Sequence, residues 1–298
     1  MRIRARSILH LAAAVVLCGC GAGPAPITVP DHGCAPVVLP LRFEHGLPLV
    51  AARVGEVDTE LMVDLGGAFT VTLKPDVGAQ ARCRQTGDVR RFRNARGDLL
   101  TSREILVSEL RLSSLALRDV TGYEQAHASG FAPPVDTGTI GLGLLREFRL
   151  LIDYSRDELS LTDRRCPAST LPEPETWATA HIVSDRDGVV VEAVIDGRER
   201  KLVLDTGATW STLRREAVST GGEGESTSAA PRVVLGGATV DGLDFATADW
   251  PGPQVDGVLG CNFFSSHVVQ VDFEAGTVAF RPAAPAAPER CSAPSWNL

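Results

Sequence analysis

The chain has 298 residues, 44% of them apolar and 22% charged, with a formal charge of −8. Those figures allow about two globular domains and exclude wholesale disorder. Only two of the 29 basic residues are lysines, Lys74 and Lys201, and the balance is acidic, so no basic surface argues for nucleic acid. With 29 Gly, 19 Pro and 2 Met, the composition favours short strands joined by many turns over long helices.

Residues 1–20 carry Arg2, Arg4 and Arg6, then an apolar run over 8–18 broken only by His10, then Leu17-Cys18-Gly19-Cys20. A basic start followed by an apolar stretch too short to span a bilayer reads as an export signal. The Leu-x-Gly-Cys ending resembles the bacterial lipobox, which implies a signal peptide over 1–19 and a lipid-bearing Cys20 at the mature N-terminus. Gly21 after it implies sorting to the outer membrane, on its periplasmic face. Removing residues 1–19 takes three arginines and moves the charge to −11. No later stretch reaches the ~18 apolar residues of a membrane helix. Residues 20–36, rich in Pro, Gly and Ala, read as a tether.

Beyond the tether the chain repeats itself. Segment 137–161, TGTIGLGLLREFRLLIDYSRDELSL, aligns without a gap on 256–280, DGVLGCNFFSSHVVQVDFEAGTVAF. Gly141 falls on Gly260 and Asp153 on Asp272. Upstream, 46–73 aligns with 188–213 with single-residue slips, placing Asp64 on Asp205. Both stretches read as strand, turn, strand and a carboxylate-glycine turn. Leu110 onward matches Val233 onward, each a pair of short alternating strands. The units cover 37–165 and 178–282, joined by a Pro-rich acidic linker over 166–177 and followed by a tail over 283–298. Such a long period indicates domain duplication rather than a solenoid.

In the second unit, KLVLDTGATWSTL sets Asp205-Thr206-Gly207 after an apolar strand. This resembles the active-site loop of the retropepsin-like and pepsin-like aspartic proteases. The resemblance extends to Thr139-Ile140-Gly141 and Val258-Leu259-Gly260, matching the apolar-apolar-glycine segment that braces that loop in the family. It covers about 240 residues in two copies. It implies an all-β body of two tandem retropepsin-like barrels arranged as a pepsin-like bilobal molecule, with Asp64 and Asp205 as a catalytic pair between the lobes. The chemistry needs two carboxyls about 3 Å apart sharing a proton, one to activate water and one to polarise the scissile carbonyl. A retroviral enzyme obtains the second by dimerising; a duplicated chain holds both, which implies a monomer cleaving an extended polypeptide without cofactor or metal. The resemblance also implies an acid-side pH optimum.

Gly66 and Gly207 fit a turn whose backbone must lie close to the carboxyls, with Gly141 and Gly260 supporting it. Thr206 would hydrogen-bond across to the other copy. The first copy departs from the pattern: it reads Asp64-Leu65-Gly66-Gly67, so half of that reciprocal bond is missing. This leaves open a catalytically inactive, pepsin-like, peptide- or partner-binding envelope lipoprotein as the alternative. Thr70 and Ser211 are placed either to hydrogen-bond the outer carboxyl oxygens or as ordinary strand residues. Asp153 and Asp272 read as turn or strand-edge residues.

Asp64 to Gly141 spans 77 positions and Asp205 to Gly260 spans 55, so the first copy holds 22 extra residues, mostly within 83–104. That segment reads as a hairpin turning at Asn94, Ala95, Arg96, Gly97 and Asp98, in the place of the family's flap. It lacks the flap tyrosine, and its arginines (Arg90, Arg91, Arg93, Arg96) either meet an acidic substrate or solvate the hairpin.

Excluding Cys18 and Cys20, five cysteines remain, allowing two disulfides and one free thiol. Cys261, in an apolar strand-like run, is expected to be the free one. The expected pairs are Cys34–Cys83 and Cys166–Cys291, with two other pairings open. The six histidines show no metal spacing, no helical pattern follows Gly138-TIGLG, and no Gly-x-Ser-x-Gly elbow exists, which argues against zinc, dinucleotide and serine-hydrolase readings.

Overall fold

The computed structural model describes residues 27, 29, 33–93, 99–125, 136–167, 176–186, 188–217, 231–248, 255–284 and 291. The signal, Cys20, Gly21 and residues 94–98 therefore lie outside the described residues, as does most of the linker and tail.

The protein is nearly all β. The first half runs through β1 (Val37–Glu44), β2 (Leu47–Val54), β3 (Val57–Asp64), β4 (Val71–Leu73), α1 (Pro75–Gln80), β5 (Arg84–Arg93), β6 (Leu99–Leu112), β7 (Leu115–Glu124), β8 (Gly138–Gly141), α2 (Leu142–Leu145), β9 (Phe148–Asp153) and β10 (Glu158–Asp163). The second runs through β11 (Ala178–Ser184), β12 (Val189–Ile195), β13 (Arg198–Leu204), β14 (Thr212–Arg214), β15 (Val233–Leu235), β16 (Ala238–Val240), β17 (Ala246–Ala248), β18 (Gly257–Leu259), α3 (Cys261–Ser266), β19 (His267–Asp272) and β20 (Thr277–Pro282). The strands are rich in Val, Leu and Ile. Many alternate buried with exposed positions, as in Val37, Leu39 and Leu41 of β1, so one face packs inward.

Two features position the site. In each half the strand leading into an aspartate pairs in parallel with the strand leading into the bracing glycine: β3 with β8, setting Asp64 opposite Gly141, and β13 with β18, setting Leu204 opposite Leu259. The halves are joined by a continuous antiparallel sheet in the order β1, β10, β9, β19, β20, β11. At its centre Val269 pairs with Ile152 and Val271 with Leu150. All four side chains are at most 2% exposed, so the seam belongs to the main core.

β5 and β6 form the long hairpin read in the sequence, pairing from Arg84 with Leu106 out to Arg93 with Leu99. The turn residues Asn94, Ala95, Arg96, Gly97 and Asp98 fall between these strand ends, outside the described residues. Short helices follow both bracing glycines, although no helical pattern was evident there; four and six residues are too few to establish a period.

The cysteine pairing differs from expectation. The disulfides join Cys34 to Cys166 and Cys261 to Cys291, leaving Cys83 free. Neither Cys34–Cys83 nor Cys166–Cys291 forms. The β1–β10 register pairs Val37 with Leu161, bringing the entry to β1 beside the exit from β10, with Cys34 and Cys166 Cα atoms 5.6 Å apart. Cys83 lies at the foot of β5, packed against the core. Cys261 is not a strand residue: β18 ends at Leu259, Gly260 caps α3, and Cys261 is the first residue of that helix, where it bonds Cys291.

Candidate functional site

Asp64 ends β3 and Asp205 follows β13, and each is carried into a tight turn, Asp64-Leu65-Gly66-Gly67 and Asp205-Thr206-Gly207-Ala208. The turns are held alike. The Gly66 N–H donates to Asp64 Oδ1 at 2.9 Å and the Gly207 N–H to Asp205 Oδ1 at 2.8 Å. The N–H of Leu142 donates to Gly67 O at 2.7 Å and that of Cys261 to Ala208 O at 2.9 Å, so the residue after each bracing glycine ties down the loop. A Cβ on Gly141 would lie 2.5 Å from Gly67 O and one on Gly260 2.6 Å from Trp210 O, so both approaches need glycine.

The turns meet face to face. A Cβ on Gly66 would stand 2.6 Å from Asp205 Oδ2, and one on Gly207 2.8 Å from Asp64 Oδ1. Each glycine thus lies flush against the opposite carboxyl, and the carboxyls hydrogen-bond to each other. Both are inaccessible, Asp64 3% and Asp205 0% exposed. Among the described residues no N–H or hydroxyl donates to Asp205 Oδ2.

Burial, then the facing Asp205 charge, then the hydrogen bond to Asp205 raise the Asp64 carboxyl well above the ordinary range, against the N–H groups of Gly66 and Gly67. Burial pushes Asp205 up to about 6, opposed first by its hydrogen bond with Asp64 and then by the N–H groups of Gly207, Gly66 and Ala208. Burial thus holds both carboxyls above the ordinary range, and they titrate as a pair.

Thr206 makes the one reciprocal tie that the sequence retains. Its hydroxyl accepts from the Leu65 N–H at 3.0 Å and donates to Val63 O at 2.7 Å, linking the two halves beside the carboxyls. Leu65, fully buried, joins the core instead of returning the bond. The hydroxyls of Thr70 and Ser211 are placed differently from the carboxyl contacts considered. Thr70 donates to Thr121 O, and Ser211 Oγ accepts from the Gly260 N–H at 2.9 Å. Asp153 and Asp272 cap turns: Asp153 accepts from Ser155, and Asp272 from the N–H groups of Glu274 and Ala275.

One contact was missed in the sequence. Arg149 on β9 donates through Nε to Asp272 Oδ2 on β19 at 2.6 Å, a buried ion pair across the seam. No spacing signals it, because the partners are 123 positions apart.

Among the described residues no group of three or more His, Cys, Asp or Glu is placed to hold a metal ion, and no helix is long and apolar enough to cross a membrane.

No family model and none of the curated proteins searched matches the sequence. The architecture does find relatives. The aspartic proteinase from Irpex lacteus superposes with a TM-score of 0.61 at 14% identity, over 85% of this chain and 99% of that one. This chain has the pepsin-like fold. Basic 7S globulin from soybean shares it, with a TM-score of 0.51 at 12% identity over 84% of this chain and 95% of that one. At such identities the pepsin-like scaffold is what is common, and activity has to be argued from the site.

Proposed function

We propose that the protein is an aspartic-type endopeptidase. The observation that carries this reading is the pair of buried carboxyls, one from each half, facing each other with Gly66 and Gly207 flush against them. In the proposed reaction Asp205, ionised, takes a proton from a water molecule while protonated Asp64 hydrogen-bonds the scissile carbonyl. Water adds to the carbonyl carbon, the tetrahedral intermediate collapses, and the leaving amine takes a proton from the pair. No metal or organic cofactor enters the scheme. The substrate is an extended polypeptide lying under the β5–β6 hairpin, with Asn94 to Asp98 proposed as its flap.

The rest of the reading is of a piece. We place an export signal over 1–19, a lipid anchor at Cys20, and the lobes over 37–165 and 178–282, as a monomeric lipoprotein of the periplasmic face, in the outer membrane. The recurrence of the parallel aspartate–glycine strand pairing in both halves supports duplication.

The test is incubation of residues 20–298 with a diverse peptide library between pH 3 and 8, beside Asp205→Asn. Cleavage by the wild type that disappears in the variant is expected; no cleavage, or cleavage that persists, overturns the proposal. Leu65 and the complete burial of Asp205 favour a second reading, a non-catalytic peptide-binding protein on the same scaffold. It predicts peptide binding without turnover.

A further inference from the structure

The arginines of the hairpin are not equivalent. Across residues 84–91 of β5, Arg90 alone is not exposed. Its cross-strand partner on β6, Ser102, is 3% exposed and donates to Glu124 O at 2.7 Å, so the two share the inward face of the hairpin. The Arg90 guanidinium stands 5.8 Å from the centre of the Tyr123 ring and donates to the Tyr123 hydroxyl at 3.2 Å. Tyr123 packs with Phe69 and Ala68 in a small apolar cluster separate from the main core. Phe69 in turn touches the catalytic turn: a Cβ on Gly67 would lie 2.5 Å from its ring and 2.8 Å from Asp64 Oδ2. A continuous wall thus runs from Asp64 through Phe69 and Tyr123 to the Arg90 cation.

Among the described residues no carboxylate pairs with Arg90. The two acids flanking it on the neighbouring strands are engaged elsewhere. Glu104 accepts from the Thr86 hydroxyl at 3.0 Å. Glu124 is held by Arg103 at 3.3 Å and Gln85 at 3.1 Å. A half-buried guanidinium with a neutral partner keeps its bidentate donor edge for an incoming anion.

We propose that Arg90 is a specificity-determining residue, taking the carboxylate of a glutamate or aspartate side chain in a polypeptide lying along the Phe69–Tyr123 wall; this rests on the peptidase reading of the site. The hairpin then contributes charge selection as well as cover, and acidic peptides are the preferred class.

The experiment compares matched peptides that differ by Glu or Gln at one position, cleaved by wild type, Arg90→Gln and the exposed-site control Arg91→Gln. Wild type and the control should favour Glu by on the order of tenfold in kcat/KM, mainly through KM, with the preference shrinking as salt rises. In Arg90→Gln the ratio should fall to about one. Turnover with no Glu preference in wild type, or a preference surviving in Arg90→Gln, overturns the assignment. The same peptides titrated by fluorescence anisotropy against Asp205→Asn separate the two claims. Glu-selective binding with no turnover by wild type overturns the peptidase and keeps Arg90 as the anion site; non-selective binding overturns Arg90.

Discussion

Two carboxyls 141 positions apart, each turned by its own glycine, titrate as one unit, so apparent pKa values belong to the pair. The proposed reaction needs one proton on the pair. Asp205 is raised to about 6 and Asp64 well above the ordinary carboxylate range, so kcat/KM should climb as pH rises through about 6 and fall once the pair loses its remaining proton. That is nearer neutrality than the acid-side optimum implied by the family likeness; an optimum below pH 5 would contradict it. Stability follows the same protons with the opposite sign. A carboxyl raised on folding binds more protons in the folded state, so its contribution is fully present below its unfolded value and is lost as pH rises toward about 6. Asp205→Asn should therefore melt above wild type at pH 7.5, with the gap closing by pH 4; a gap independent of pH would refute this. Thr206→Val removes a hydroxyl that both accepts from Leu65 and donates to Val63, stranding a buried N–H and a buried carbonyl. The loss should be about 1–3 kcal/mol in urea denaturation. Both aspartates, the glycines and Thr206 are legible in the sequence, because a carboxylate-glycine turn after an apolar strand is a local pattern. The ends of the Thr70 and Ser211 hydrogen bonds are not, because they depend on where other strands lie.

Strands and turns were easier to read than their partners. The strand, turn, strand pattern over 46–73 and 188–213 marks out strands that the structure shows, and the extra 22 residues of the first unit fall in the β5–β6 hairpin. The disulfides were missed because residue order says nothing of the register that brings Cys34 to Cys166. The ion pair between β9 and β19 was missed for the same reason, and it carries a clear expectation. Arg149→Met leaves Asp272 charged and buried at the seam, which should cost about 3–5 kcal/mol in denaturant titration, whereas Arg149→Met with Asp272→Asn should recover much of that. A double variant as unstable as the single one would show that the pair is not what matters there.

Across the whole molecule, the two disulfides close loops of very different length, with sequence separations of 132 and 30 residues. On chain-entropy grounds they constrain the unfolded chain by about 5 and about 4 kcal/mol. Replacing Cys34 and Cys166 with alanine should lower the denaturation midpoint, and its effect relative to the Cys261 and Cys291 replacement measures how far loop length governs the gain.

The central sheet has a further consequence. Because β9 pairs on one side with β10 and on the other with β19, neither half owns a finished edge. A first half made alone would present the apolar β9 edge, Phe148 to Asp153, to whatever strand it met. The neatest cover available to it is the β9 of a twin. Two such halves would bring Asp64 against Asp64, so the failure mode of a broken chain and the architecture of a symmetric dimer are the same object.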